Sequence, residues 1–119
     1  MIPALACVAL PLLSGCSDYV RDAPRIPSLV AHQAAYNGKT VSITGRVKRL
    51  DEWTSKTGLP EELFTICEGS ACIRVYLRTH SPIHDGQLVT VRGTYYQTYS
   101  FGHSVFHNEI EGTEVLPRE

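Results

Sequence analysis

A strict alternation of apolar and polar residues at positions 41–48 restricts the fold more than any other feature of this 119-residue chain. The apolar and glycine positions alternate with polar ones as Val41, Ser42, Ile43, Thr44, Gly45, Arg46, Val47 and Lys48. A period of two with β-branched residues predicts a strand that is buried on one side and exposed on the other. The glycine in mid-strand predicts a bend or bulge, as a barrel corner requires.

Four later segments have the same strand character. They are ELFTICE (62–68), ACIRVYLR (71–78), LVTVRGTYYQTY (88–99) and SVFHNEIEGTEV (104–115). Before them, Ser28 is a good N-cap for a short helix over 29–36, which Asn37-Gly38 would end. Residues 50–61 are predicted to be a polar loop carrying Trp53, the single tryptophan. One short helix followed by five strands predicts a small all-β barrel.

Five strands allow an OB-fold, an SH3-like barrel or a simple meander. The long first strand, interrupted by Gly45, favours the OB-fold, whose first strand pairs with both sheets of a Greek-key barrel. The stretches YNGKTVSITGRV, HDGQLVTVRGTYY and FHNEIEGTEV resemble small bacterial OB domains of the tRNA-anticodon-like, nucleic-acid-binding type. This resemblance covers Tyr36 to Val115 and implies a five-stranded OB-fold-like Greek-key barrel with a short N-terminal helix.

The strand alternation also predicts which side chains form the core. The expected core residues are Val41, Ile43, Val47, Phe64, Ile66, Ile73, Val75, Leu77, Val89, Val91, Phe106 and Ile110. Between strands four and five lies an aromatic ribbon, Tyr95, Tyr96, Tyr99 and Phe101, half of which we expect to pack in the barrel. The rest could serve as a partner surface, where tyrosine is favoured.

The N-terminal stretch MIPALACVALPLLSGCS is an apolar run that ends in small residues before Cys16. This is the pattern of a secretory signal with its cleavage site, although no Lys or Arg precedes the run. The alternative is a buried N-terminal helix of an unprocessed protein, which Pro3 and Pro11 disfavour.

The end of that run, LSGC, resembles the lipobox of bacterial lipoproteins. The resemblance implies that residues 1–15 are a signal peptide and that Cys16 carries the lipid. Residues 16–28 would then be a tether, and residues 29–119 the OB-fold-like domain. Ser17 after the cysteine implies sorting to the outer membrane, with the domain on its periplasmic face.

Cys67 and Cys72 flank a Gly-Ser pair at 69–70 that suits a two-residue type II′ hairpin turn. Such a turn places the cysteines directly opposite each other at a non-hydrogen-bonded position, where a disulfide can form. The lipobox resemblance implies that Cys7 is cleaved off and Cys16 is lipidated, so neither can pair with Cys67 or Cys72. The oxidising compartment that it implies favours the disulfide. A reduced pair, a redox dithiol and half of a metal site remain as alternatives.

The outward sides of the first three strands gather cations and an aromatic ring. The candidate ligand-binding residues are Arg46, Lys48, Arg74, Tyr76 and Arg78. This mixture suits single-stranded nucleic acid or another anionic ligand. The alternative is that Arg74 and Arg78 pair with Glu109 and Glu111 on strand five. A net charge of −1 argues against general nucleic-acid binding.

Catalytic and metal-site patterns are not evident in the sequence. It contains no Ser-His-Asp wording, zinc-protease motif or phosphate loop. His103 and His107 straddle a turn and a strand, while His80, His84 and Asp85 lie in a loop that we expect to be solvated. We therefore expect no catalytic residues, no metal and no cofactor.

These observations lead to one expected function and one alternative. We expect a lipid-anchored periplasmic binding or adaptor module, without catalytic activity, that docks a protein partner or another component of the cell envelope. The alternative is a module that binds single-stranded nucleic acid or another anionic ligand on the outer face of strands 1–3. An enzyme or metal carrier ranks below both.

Overall fold

The segments of period two form a closed barrel of five strands within the part of the chain that the structure describes. This structure, a computed structural model, describes residues 23–118, except for the side chains of Tyr99, Phe101 and Phe106. The predicted signal peptide, the predicted lipidation site Cys16 and the part of the predicted tether up to residue 22 lie outside the described residues. The elements are α1 (Ile26–Ala31), α2 (Gln33–Tyr36), β1 (Thr40–Thr54), β2 (Pro60–Glu68), β3 (Ala71–Leu77), β4 (Leu88–Phe101) and β5 (Ser104–Pro117).

The strands close in the order β1-β2-β3-β5-β4, so that β4 returns to β1. Neighbouring pairs are antiparallel except β3 and β5, which run parallel through Arg74, Val75 and Tyr76. This topology is that of the OB-fold, and the predicted fold is confirmed.

Strand β1 joins the two sides of the barrel, as its length predicted. Residues 40–46 pair with β4, and from Arg46 onwards the strand pairs with β2. Gly45 lies at this change of partner. A Cβ there would come within 2.6 Å of the Cys67 carbonyl oxygen and 2.8 Å of Ile26 Cδ1. Glycine is needed because the neighbouring backbone and the helix approach so closely.

The prediction of a polar loop over residues 50–61 is wrong. Beyond a bulge between Lys48 and Asp51, β1 continues to Thr54 and pairs with the start of β2. Only residues 55–59 form the loop, closed by a hydrogen bond of 2.8 Å from the Ser55 N–H to the Leu59 carbonyl oxygen. The paired end of β1 and start of β2 carry polar side chains on both faces, so the sequence shows no hydrophobic alternation there.

The N-terminal helix begins earlier than predicted and is interrupted. α1 starts at Ile26, with Arg25 as its N-cap and Pro27 in its first turn, and it ends before His32. Proline is favoured at this position because its missing N–H needs no helical partner. The side chains of Ile26 and Leu29 are fully buried. Ile26 therefore packs into the core, although it lies within residues 16–28, the segment predicted to be a tether.

The predicted core is confirmed wherever its side chains are described. All of its members except Phe106, whose side chain is not described, are at most 3% exposed. Ile26, Leu29, Ile83 and Tyr95 complete the core. The Tyr95 hydroxyl donates to Asn108 Oδ1 at 2.7 Å, and Asn108 Nδ2 donates to the Cys72 carbonyl oxygen at 2.9 Å. These two hydrogen bonds link the buried end of the aromatic ribbon to β3.

The β2–β3 hairpin has the predicted register, and the disulfide is confirmed. Glu68 pairs with Ala71 and Cys67 pairs with Cys72, with a Cα–Cα distance of 4.1 Å. Gly69 takes φ +62° at the first position of the turn. The disulfide is largely covered, since Cys67 is 3% exposed and Cys72 is half-buried.

Replacing both cysteines with alanine should lower the free energy of unfolding by about 2 kcal/mol, because the ring that the disulfide closes is short. Urea unfolding of the oxidised protein and of Cys67→Ala/Cys72→Ala measures this difference. A reductant should shift the midpoint of the native protein by a similar amount and leave that of the variant unchanged. A native midpoint that does not respond to reduction would contradict the stabilising role.

Candidate functional site

Two rows of outward side chains cross β1, β2 and β3 side by side. Strand register sets Lys48, Thr65 and Arg74 in one row. Asp51, Leu63 and Tyr76 form the next row. We call these two rows, with the adjoining pair Trp53 and Glu61, the outer β1–β3 face. In OB-folds the surface of strands 2 and 3 is the usual binding surface.

Trp53 and Tyr76 are held by a single carboxylate on this face. Trp53 Nε1 donates to Glu61 Oε1 at 2.6 Å, and the Tyr76 hydroxyl donates to Glu61 Oε2 at 2.9 Å. His80 Nε2 also lies 2.9 Å from the Trp53 carbonyl oxygen. We call Glu61, Trp53 and Tyr76 the bracket. All three of these side chains are half-buried. Glu61 therefore fixes the orientation of two aromatic rings that still present surface to solvent.

Sequence reasoning missed Trp53 because it placed this residue in a loop. The sequence carries no strand signal here, because DEWT and PEEL are mostly polar and show no alternation. The glycine in the intervening SKTGL indicates only a turn. Trp53 reaches this face because pairing with β2 sets it opposite Glu61.

The predicted ligand residues lie close together on the barrel surface. Lys48, Arg74 and Tyr76 occupy the two adjacent rows, and Arg46 lies one row nearer the disulfide, opposite Cys67. Arg46 Nη1 donates to the Gly86 carbonyl oxygen at 3.2 Å. Arg78 lies close enough to Tyr76 to influence it. Burial raises the pKa of Tyr76, the hydrogen bond with Glu61 adds to the increase, and Arg78 opposes it.

Strand β5 brings acidic residues beside these cations, as the alternative reading of the sequence anticipated. Arg74 is the register partner of Glu109, and Tyr76 is the partner of Glu111. A surface depression of about 320 Å³ lies where Tyr76 and Arg78 meet Tyr96 and Glu111. The face therefore carries both signs of charge and is not a uniformly basic strip.

Glu109 should make stability depend on pH. Burial raises the pKa of its carboxyl, Arg74 opposes this increase and Glu111 adds to it. The unfolded chain, whose pKa is ordinary, loses its proton first as the pH rises, so stability falls until the pH passes the raised folded pKa. Glu109→Gln removes this loss. Its melting temperature relative to the native protein should therefore rise between about pH 4 and pH 7.

Thermal melts of the native protein and of Glu109→Gln across this range check that expectation. Glu114→Gln is a matched control, because Glu114 is an exposed glutamate on the same strand. A Glu109→Gln variant that loses stability relative to the native protein as the pH rises would contradict the expectation. It would show that the charge of Arg74 outweighs the burial of Glu109.

The candidate metal residues do not converge in the described part of the chain. No group of three or more His, Cys, Asp or Glu side chains within residues 23–118 is arranged to hold a metal ion. Asp85 Oδ1 instead accepts a hydrogen bond from the Leu50 N–H at 2.8 Å. Over the same residues, no helix has the length and apolar character needed to cross a membrane.

Comparison with known proteins shows similarity of fold. No protein-family model matches the chain, and no curated protein matches it in sequence. A crystal structure described as an aspartyl-tRNA synthetase from Leishmania major Friedlin is similar over 80% of this chain, with a TM-score of 0.61 and 15% identity. This chain spans 20% of the length of that synthetase.

A second similar structure is a mitochondrial single-stranded DNA-binding protein from S. cerevisiae. It matches 70% of this chain and 98% of its own length, with a TM-score of 0.51 and 15% identity. At this level of identity the two similarities establish the OB-fold alone.

Proposed function

We propose that this protein is a binding or adaptor module without catalytic activity that docks a protein or another envelope component on the outer β1–β3 face. In this proposal Cys16 carries a lipid that anchors the domain to the periplasmic face of the outer membrane. The observation that carries the docking proposal is the bracket in which Glu61 holds both Trp53 and Tyr76.

The bracket suits docking because it is ordered before a partner arrives. Binding costs free energy when side chains must be immobilised, and a ring that is already held avoids part of that cost. Tryptophan, tyrosine and arginine are also the residues that contribute most at protein interfaces. Trp53, Tyr76 and Arg74 supply all three within two neighbouring strand pairs.

The mixed charge of the face favours a protein partner over a polyanion. Around the bracket, the cations Lys48, Arg74 and Arg78 lie near the acidic residues Asp51 and Glu111. Complementary charges of both signs give register and specificity at a protein interface. A polyanion would meet repulsion from the carboxylates.

Single-stranded nucleic acid is the second candidate ligand. Aromatic rings beside cations on an OB-fold surface suit stacked bases and their phosphates. The arrangement of Trp53 and Tyr76 next to Arg74 and Arg78 supports this candidate, and one protein of similar fold is a single-stranded DNA-binding protein.

A titration followed by tryptophan fluorescence separates the two candidates, because Trp53 is the only tryptophan and lies on the face. The detergent-solubilised protein is titrated with oligothymidine and with an acidic glycan at low salt. The adaptor proposal expects no change. Nucleic-acid binding through four cations would instead weaken roughly fiftyfold between about 50 and 200 mM salt. Strong binding of this kind, lost in Arg74→Gln/Arg78→Gln, would replace the first proposal with the second.

The lipid anchor has a separate test. In a bacterial host supplied with an alkyne analogue of palmitate, the native protein should become labelled and Cys16→Ala should not. Cys7→Ala is the matched control and should be labelled like the native protein, since the lipobox resemblance places Cys7 in the removed segment. Labelling that survives in Cys16→Ala would overturn the assignment of the anchor.

A further inference from the structure

We propose that a groove at the ends of β4 and β5 is the membrane-facing surface of this domain and docks on anionic phospholipid headgroups. This inference rests on the proposed lipid anchor and extends it, since it specifies which side of the barrel faces the bilayer. The groove has a volume of about 780 Å³. We call it the strand-end groove.

The strand-end groove combines hydroxyl groups with apolar side chains. Within its lining, Thr44 Oγ1 of β1 lies 2.7 Å from Thr90 Oγ1 of β4. Strand register continues this row from Thr90 to Leu116 of β5, which is 44% exposed. Hydroxyl groups can hydrogen-bond phosphate oxygens, and an exposed leucine suits the boundary between headgroups and acyl chains.

The charge of the groove matches an anionic surface. Among the described residues, its lining includes three arginines, Arg25, Arg46 and Arg118, whereas the only acidic lining residue is Glu68, which forms an ion pair with Arg25. The lining therefore has an excess of positive charge, although the whole chain has a formal charge of −1. A cation near an anionic membrane contributes about 1 kcal/mol of attraction.

The position of the N-terminal segment selects the membrane as the occupant. Ala23 and Pro24, the first described residues, form part of the groove wall. The Cα atoms of Cys16 and Ala23 are seven residue steps apart along the chain, and even fully extended these steps span at most about 25 Å. A lipid on Cys16 therefore keeps this wall near the bilayer, where Arg46 and Arg118 can reach headgroups.

This orientation points the β4–β5 hairpin away from the membrane. The strand-end groove includes Leu88 at the start of β4, and the hairpin turn at Gly102 follows Phe101 at its other end. Fourteen residues of extended strand cover about 40 Å. The hairpin would then reach outward from the bilayer, and the outer β1–β3 face would lie to the side of the groove.

Two exposed positions on β5 allow a matched test of the orientation. Leu116 lies in the groove and is 44% exposed, whereas Val105 lies near the hairpin turn and is 55% exposed. A fluorescent amino acid is placed at one or the other in the lipidated protein. The protein is reconstituted in phosphatidylcholine vesicles that carry nitroxide headgroups, with or without phosphatidylglycerol.

We expect strong quenching at Leu116 in phosphatidylglycerol vesicles, weaker quenching in neutral vesicles, and little at Val105 in either. Arg46→Gln/Arg118→Gln should reduce the docked fraction at Leu116, with the docking equilibrium falling roughly fivefold per arginine. This pair leaves the Arg25–Glu68 ion pair intact. Lys39→Gln/Lys56→Gln removes two exposed cations outside the groove and should leave quenching unchanged.

Equal quenching at the two positions, or quenching that ignores phosphatidylglycerol and the arginines, would overturn the orientation while leaving the anchor intact. The second pattern would also point to another occupant of the groove, such as the segment 16–22. A native protein that carries no lipid and does not float with vesicles would refute the anchor, and the orientation with it. High salt gives an independent check, because it should release the docked state at Leu116.

Discussion

Replacing Trp53 with alanine should weaken docking on the outer β1–β3 face by about 2 kcal/mol, a loss of roughly thirtyfold in affinity. The substitution removes the larger ring of the bracket and leaves Glu61 with only the Tyr76 hydroxyl as a partner. The expected effect is large because a half-buried carboxylate is then exposed at the centre of the interface instead of an aromatic ring. Affinity is measured against the partner recovered by photo-crosslinking from Leu63 on this face.

A finer substitution separates positioning from contact. Glu61→Gln keeps the shape of the bracket, but an amide binds Trp53 Nε1–H and the Tyr76 hydroxyl less strongly than a carboxylate does. It should weaken docking less than Trp53→Ala and should loosen the rings, which the fluorescence anisotropy of Trp53 can report. Thr57→Ala, in the exposed β1–β2 loop, is the control and should leave both quantities unchanged. If Trp53→Ala binds the partner as tightly as the native protein does, the bracket is not part of the docking surface.

The largest loss of stability is expected from Gly93→Ala. Gly93 lies at the shift of register in the β4–β5 ladder, opposite Gly112. A Cβ at Gly93 would lie 2.7 Å from the Cα of Gly112 and closer still to the Glu111 carbonyl oxygen. Both obstacles are backbone, so relief requires the two strands to separate. We expect a loss of about 3 kcal/mol or more in the free energy of unfolding.

Thermal melts should show this as a decrease of roughly 12–24 °C in melting temperature for a domain of this size. Gly58→Ala provides the comparison, because a Cβ there meets no atom within 4 Å while φ is +86°. Its cost should be limited to that of a left-handed backbone, about 1–2 kcal/mol. Comparable losses in the two variants would contradict the close approach at Gly93.

Side-chain alternation was enough to predict the faces of the strands. Ile66 and Ile73 point inwards and Thr65 and Arg74 point outwards. This register is strongly specified, because a shift by one residue would expose the apolar side chains and bury the polar ones. The disulfide could be predicted for the same reason, since the Gly-Ser turn fixes the register of its hairpin. Local signals of this kind need no knowledge of the rest of the chain.

Features that depend on distant contacts could not be predicted in the same way. The extension of β1 to Trp53 rests on pairing with β2, and its side chains are polar on both faces. The helix start at Ile26 lies between Pro24 and Pro27, whose presence favoured the prediction of a tether. In the structure Ile26 is buried and fills the space left by Gly45. In both cases a tertiary partner determines the structure, and the local pattern does not reveal it.

Site-specific photo-crosslinking in living cells tests whether the outer β1–β3 face docks a protein partner. A photoreactive phenylalanine analogue replaces Leu63, which lies between Asp51 and Tyr76 on the outer β1–β3 face. In a parallel variant it replaces Lys39, an exposed residue before β1. We expect a discrete, protease-sensitive adduct from Leu63 that Trp53→Ala suppresses, and none from Lys39. An adduct destroyed by nuclease, or equal adducts from both positions, would contradict this expectation.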